Sequence, residues 1–217
     1  MSSGNHVRRA ASVLAPLFLA GCLGGGTSEP RQRYYSIAPT VIETTAAVAA
    51  SGPQIALDAV DARGIYAERP LLYRTAGESA PLEQYAYASW AEPPDVMLED
   101  ALLADLGRAF GATNVRRAPV RGAPDIRIGV RVQALEQIID GSRAQAHFAA
   151  VYTVADAAGE SLLVYRYDRQ SDAVGLSPLE FVKALDGLAA EADRALIDKL
   201  RTLPGTKKRL GGEAQPK

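Results

Sequence analysis

Cys22 is the residue of this chain whose type and position point most directly to a specific chemistry. It is the only cysteine. Arg8 and Arg9 precede an apolar run over residues 10–20, and small residues lead from that run into Cys22. Basic residues, a short apolar run and a small-residue cleavage site, in that order, make up a secretory signal peptide. The run is shorter than the roughly 20 apolar residues that a membrane-spanning helix needs. The sequence therefore predicts a signal peptide over residues 1–21.

The residues Leu19-Ala20-Gly21-Cys22 resemble the lipobox of bacterial lipoproteins, in which the cysteine thiol first accepts a diacylglycerol. The resemblance implies a mature chain that begins at Cys22 and carries a diacylglycerol and an N-acyl chain. Stable membrane anchoring takes more than one acyl chain, and a triacylated cysteine meets that condition. The alternative is an ordinary signal peptide or a buried N-terminal helix, with Cys22 an incidental thiol.

The segment after Cys22 is predicted to be a flexible tether over residues 22–32, because it contains Gly24-Gly25-Gly26. No aspartate follows Cys22 directly. In lipoproteins of the enterobacterial type, that absence favours sorting to the outer membrane. We therefore expect a lipid-anchored protein of the outer membrane that faces the periplasm.

The sequence predicts neither a catalytic site nor a metal site. Once the signal peptide is removed, His147 is the only histidine, and no patterned acids accompany it. A lipidated Cys22 leaves no thiol for catalysis, zinc binding or disulfides. The chain has no Gly-x-x-x-x-Gly-Lys-Ser/Thr phosphate-binding loop. Its 24 basic and 25 acidic residues give no excess of positive charge for binding nucleic acid. We expect no enzyme activity and no cofactor beyond the acyl chains.

Four residues near the middle of the chain are candidates for binding a partner protein. Tyr66, Arg69 and Arg74 could form an exposed edge, and Trp90 could add an aromatic contact. The alternative for the arginines is ordinary salt bridges on a solvated surface. The alternative for Trp90 is an anchor in the core beside a helix start.

Alternating apolar and polar residues predict a sheet. The clearest strand runs from Ile126 to Val132 and continues, through a bulge, to Ile138-Ile139. The residues from 125 to 170 are predicted to form an antiparallel meander, with a turn at Asp140-Gly141. The sequence predicts further strands at 33–39, 55–61, 71–74 and 82–90.

Two helices are predicted from residues three or four apart that share one apolar face. The first begins after Pro93 and ends at Gly111. The second begins at Ser177-Pro178-Leu179-Glu180, a capping box, and ends at Pro204. We therefore predict an α+β fold in which two main helices pack on a mostly antiparallel or mixed sheet. One domain would cover residues 33–204, followed by a disordered tail over 205–217.

The order of these pieces resembles the ABC-type transport auxiliary lipoprotein family, also called PqiC-like. The resemblance covers residues 34–203, from Tyr34-Tyr35 after the lipidation site to the last helix. Its most specific piece is Trp90-Ala91-Glu92-Pro93, which enters a helix directly after a strand. Tyr66, Arg69-Pro70 and Arg74 precede this piece and fit the same order.

The resemblance implies an auxiliary or docking component of an MCE-domain lipid transport system. The implied partners are an MCE-domain protein and its inner-membrane ABC permease and ATPase, together with the outer membrane. A homo-oligomeric cap on a tubular partner is one arrangement that the resemblance allows. From the residues we expect the protein to act through protein contact rather than by carrying lipid. The alternative is a structural outer-membrane assembly lipoprotein with no link to lipid transport.

Overall fold

The three longest strands follow one another in the chain and pair with one another. The computed structural model describes residues 31–38, 52–77 and 80–203. Strands β6 (Ile126–Asp140), β7 (Arg143–Asp156) and β8 (Ser161–Ala173) pair antiparallel in sequence order, which confirms the predicted meander. The shorter strands are β1 (Arg33–Tyr35), β2 (Ile55–Leu57), β3 (Pro70–Thr75), β4 (Glu83–Trp90) and β5 (Val115–Arg117).

Within the described residues these eight strands form one mixed sheet. Its order is β1-β4-β3-β6-β2-β5, with β7 and β8 on the other side of β6. Two strands share one edge of β6, because β2 pairs with its start at Ile126 and β3 with its end at Gln137. Both of these pairings are parallel, whereas β3 and β4 are antiparallel. Among the described strands β8 pairs only with β7, so it forms an edge of the sheet.

Two helices bury their apolar faces against this sheet. Helix α1 covers Pro94–Phe110 and α2 covers Pro178–Thr202. The Ser177 hydroxyl accepts a hydrogen bond from the Glu180 backbone N–H at 3.4 Å, so Ser177 is the N-cap of α2 as predicted. The core combines helix residues with alternate residues of β6 and β7, among them Leu106, Phe110, Phe181, Leu185, Leu196, Ile128, Phe148 and Tyr152. The predicted α+β fold is confirmed.

Some predicted strand limits were wrong. The first strand ends at Tyr35, and β2 ends at Leu57 rather than at residue 61. After Leu57 the chain leaves regular pairing but still bonds β6, with Asp58 N–H donating to the Ile128 carbonyl and Asp61 N–H to the Val130 carbonyl, both at 2.8 Å. Strand β5, which pairs in parallel with β2, was not predicted from the sequence. A three-residue strand with one buried side chain, Val115, shows no alternation to detect.

The signal peptide, Cys22 and the tail over 205–217 lie outside the described residues, so those predictions and the proposed domain limits stay predictions. Within the described part of the chain, no helix is long and apolar enough to cross a membrane.

Candidate partner-binding site

A β-bulge in β6 places a glutamate on the sheet face opposite the helices. Val132 pairs with Ala150 and Ala134 with Ala149, so β6 carries one residue more than β7 at this point. The side chains of a strand alternate between faces, and an extra residue exchanges the faces of all that follow. Leu135 therefore continues the core face, while Glu136 points to the opposite face, directly across from His147.

Glu136 collects hydrogen bonds from three elements. Its Oε2 accepts from the Tyr66 hydroxyl and from Arg74 Nη2, each at 2.8 Å. Its Oε1 lies 3.2 Å from His147 Nδ1, and His147 Nε2 lies 3.0 Å from Asp168 Oδ1. Tyr66 lies on a 3₁₀ helix at Gly64–Ala67, and Arg74 lies on β3. We call Tyr66, Arg74, Glu136, His147 and Asp168 the Glu136 cluster.

Charge pairing keeps the buried carboxylate ionised. The Glu136 side chain is 3% exposed, and burial alone would raise its pKa. The hydrogen bonds from His147, Arg74 and Tyr66 outweigh that effect and hold the pKa of Glu136 at about 2. The hydrogen bond to Glu136, joined by the one to Asp168, raises the pKa of His147. Burial, reinforced by Glu136, raises the pKa of Tyr66 to about 12.

The geometry of the Glu136 cluster suits a structural role, in which it connects separate elements of the fold. Both His147 nitrogens face carboxylate oxygens, so the doubly protonated imidazolium satisfies both. Within the described residues, no group of three or more metal-ligating side chains is arranged to hold a metal ion. The cluster ties the 3₁₀ helix and β3 to the middle strands of the sheet.

The structure brings two of the predicted site residues together and places the other two elsewhere. Tyr66 and Arg74 share one oxygen of Glu136. Arg69 instead binds the junction between β4 and α1, where its Nε donates to the Trp90 carbonyl at 3.2 Å and its Nη2 donates to the Ala91 carbonyl. The Arg69 guanidinium also lies 5.8 Å from the centre of the Tyr34 ring.

Trp90 lies in the core. Its side chain is 1% exposed, and its ring centre is 6.3 Å from that of Phe181 on α2. Trp90 therefore occupies the core-anchor position that the sequence analysis gave as the alternative to surface contact. A residue this buried can influence a partner only through the backbone that Arg69 holds.

Sequence reasoning missed the centre of the cluster. Glu136 and Gln137 stand between two apolar pairs of the predicted strand, Ala134-Leu135 and Ile138-Ile139. A charge in such a position is a signal, because buried charges need partners. The identity of those partners depends on the pairing of β3 with β6 and on the bulge, neither of which a local pattern reveals.

A second buried acid lies on α2, near Tyr152 of β7 and Asp105 of α1. Asp193 on α2 is 7% exposed. Burial raises its pKa well above the usual range, and the nearby Asp105 of α1 reinforces the rise, while a hydrogen bond with Tyr152 opposes it. Asp105 is itself fully buried and forms an ion pair with Arg108. Asp193 is therefore protonated in the folded protein at acidic pH.

With one open mixed sheet and two helices packed on it, the fold is that of an α+β domain. Residues 35–196 match the model of the ABC-type transport auxiliary lipoprotein component family, and the chain belongs to this family. The predicted family is thereby confirmed.

Solved structures share this fold. A crystal structure of a protein from Xanthomonas campestris matches with a TM-score of 0.63 and 19% identity, over 80% of this chain and 97% of that one. A crystal structure of an uncharacterised protein matches with a TM-score of 0.61 and 15% identity, over 78% of this chain and 98% of that one. No curated protein matches the sequence.

Proposed function

We propose that this protein is a membrane-anchored periplasmic lipoprotein that serves as the docking component of an MCE-type ABC lipid transport system. The observation that carries the proposal is the match of residues 35–196 to the transport auxiliary family. Transport by the assembly would draw its energy from the ATPase subunit of the partner system. The role of this chain is to connect that system to a membrane.

The anchor in this proposal is the lipidated Cys22. The lipobox-like sequence before it and the glycine-rich segment after it support lipidation. The diacylglycerol and the N-acyl chain together supply the multiple chains that stable anchoring needs. Leu23, rather than aspartate, follows Cys22 and supports outer-membrane sorting with the domain in the periplasm.

The partner-facing surface in this proposal is the segment around the 3₁₀ helix. Arg63, Glu68 and Arg69 are exposed there, and they present both signs of charge. Tyr66 and Arg74 hold this segment from beneath through Glu136. A rigid edge loses little conformational freedom on binding, which favours association with a protein. The function proposed is therefore protein docking rather than lipid carriage.

Co-purification from the native bacterium in mild detergent tests the proposal. A photo-crosslinking amino acid at position 63 or 68 would mark the proposed surface. One at position 143 is a matched control, since the Arg143 side chain is 82% exposed at the start of β7. We expect mass spectrometry to identify an MCE-domain protein crosslinked at 63 or 68 and absent at 143.

Other results would contradict the proposal in distinct ways. Recovery of outer-membrane assembly factors without any MCE protein would favour the structural lipoprotein. A phospholipid bound at near one per delipidated chain would show that the domain carries lipid itself. A Cys22→Ser variant that still fractionates with the outer membrane would overturn the lipid anchor.

A further inference from the structure

Three large apolar side chains are exposed within the six residues that run from the end of β8 into the first turn of α2. Val174 is 86% exposed, Leu176 43% and Leu179 47%. We call residues 174–179 the apolar loop. A cluster of exposed apolar side chains marks an interaction site more often than scattered ones do.

The apolar loop is held in a defined conformation. Gly175 has a φ of 107°, which favours glycine, and its N–H donates to the Ala173 carbonyl at 2.8 Å. Gln137 Nε2 donates to the Leu176 carbonyl at 3.4 Å, which ties the loop to β6. The Ser177 cap fixes its last residues to α2. The exposure of these side chains is therefore a property of the fold.

The first described strand runs away from the end of the sheet that carries the apolar loop. The apolar loop follows the last residue of β8, beside the turn between β6 and β7, since Ala173 pairs with Ala144. Strand β4 begins at this end, because Glu83 pairs with Tyr73 near the end of β3. Strand β1 runs parallel to β4, with Arg33 beside Ala88. The chain therefore enters β1 at Arg33, its entry point into the sheet, and runs from there away from the end that carries the apolar loop.

Helix α2 brings the loop towards this entry point. Asp186 Oδ1 accepts from the Ala38 backbone N–H at 3.4 Å, and Phe181 packs on Trp90 of β4. The first turns of α2 therefore lie over the β1 side of the sheet. Residues 23–32 connect Cys22 to Arg33, and fully extended they reach at most about 40 Å.

Two ion pairs and one further carboxylate lie beside the apolar loop, with the Asp172 carboxylate accepting from the neutral Gln145 amide at 2.8 Å. Asp140 and Arg143 form an ion pair at 3.1 Å, and Glu180 and Lys183 form another at 2.8 Å. Paired charges give no net attraction to anionic headgroups, so contact with a bilayer here would depend on the apolar side chains.

We propose that the apolar loop is a second membrane contact, in which Val174, Leu176 and Leu179 insert into the interface of the bilayer that holds the Cys22 lipid. This inference rests on the proposed lipid anchor. The connection to Cys22 is long enough for the loop to reach that bilayer, and the loop supplies exposed apolar side chains beside charged ones. Two contacts, the lipid and the loop, would fix which end of the sheet faces the membrane and direct the opposite end into the periplasm.

Depth-dependent fluorescence quenching tests the proposal on the full lipidated protein. Val174→Cys provides a single free thiol for an environment-sensitive fluorophore, since Cys22 is acylated. Val164→Cys is the matched control, because Val164 is 52% exposed near the start of β8, at the other end of that strand. The vesicles contain phosphatidylethanolamine and phosphatidylcholine, some with brominated acyl chains.

We expect the fluorophore at 174 to shift to the blue and to be quenched several-fold more than the one at 164, with no dependence on salt or anionic lipid. Equal quenching at the two positions would overturn the proposal. A blue shift at 174 without vesicles, rising with protein concentration, would also overturn it in favour of contact with a second copy. Failure of both labelled proteins to float with vesicles would instead count against the lipid anchor.

Discussion

At the scale of single residues, Glu136 shows how a buried charge can be kept without instability. Three donors from separate elements surround it, and each replaces part of the hydration that burial removes. Breaking a buried charge network costs more than any one of its hydrogen bonds contributes, because the remaining groups lose their partner.

Glu136→Gln should lower the free energy of unfolding by about 2–3 kcal/mol. The amide removes the negative charge that satisfies Arg74 and His147. Urea unfolding at pH 6 measures the change. Asp140→Asn is the control, because that side chain is 63% exposed and should change stability by less than about 0.5 kcal/mol. Equal effects of the two substitutions would contradict the structural role of the cluster.

The Glu136 cluster should also give stability a defined pH dependence. The pKa of His147 in the folded protein is raised above 6.5. The contribution of His147 to the stability of the fold is therefore complete below pH 6.5 and is lost as pH rises through the folded-state pKa. The pKa of Glu136 falls from 4.5 to about 2, so its contribution is full above pH 4.5 and is lost as pH falls towards 2. His147→Gln should flatten the alkaline decline between pH 6 and 9 in urea unfolding, and an unchanged slope would contradict the assignment.

The second buried acid, Asp193, predicts a pH dependence of stability opposite to that of Glu136. The pKa of Asp193 is raised, so folding favours its protonated form and stability falls as pH rises from about 4 through the folded value. Asp193→Asn keeps an acceptor for Tyr152 without the charge. The variant should be more stable than the unmodified protein at pH 8 and closer to it at pH 4. Asp198→Asn, whose side chain is 67% exposed, should leave both values unchanged.

At the scale of elements, local signals placed the long strands and both helices, whereas non-local pairing could not be predicted. The N-cap at Ser177 and the alternation from Ile126 to Val132 depend on neighbours in sequence. The parallel pairing of Arg74 with Ile138 depends on residues far apart, and it decides that Arg74 meets Glu136. For this reason the sequence named Tyr66 and Arg74 as candidates but not the carboxylate that joins them.

The cap of α2 can be tested directly. Ser177→Ala removes the hydroxyl that accepts the Glu180 N–H and should cost about 1 kcal/mol of unfolding free energy, because an orphan donor at the helix start loses its partner. Thermal unfolding compares this variant with Ser161→Ala at the exposed start of β8, where little change is expected. A cost at position 161 as large as that at 177 would contradict the capping role.

At the scale of the whole molecule, one core joins the sheet to both helices, so the domain should resist proteolysis as a unit. We expect limited digestion of the purified protein to leave a fragment whose limits fall close to residues 33 and 204, because the core runs from Ile37 to Leu200. Mass spectrometry of the fragment measures those limits. Early cleavage within the α1–β5 connection, at residues 111–114, would contradict a single cooperative domain.

The edge position of β8 has a consequence for the solubility of the protein. A strand paired on one side offers free backbone N–H and C=O groups to any other extended chain, and charged side chains are a common defence against such pairing. Arg166, Asp168, Arg169 and Asp172 are exposed along β8. If a second β8 paired with this edge in parallel and in register, each charge would lie beside the same charge of the other copy. In an antiparallel pairing, some arginines would instead lie beside aspartates. The order of charges along β8 therefore disfavours fibres built from parallel, in-register copies of this strand. It does not disfavour antiparallel pairing of two copies.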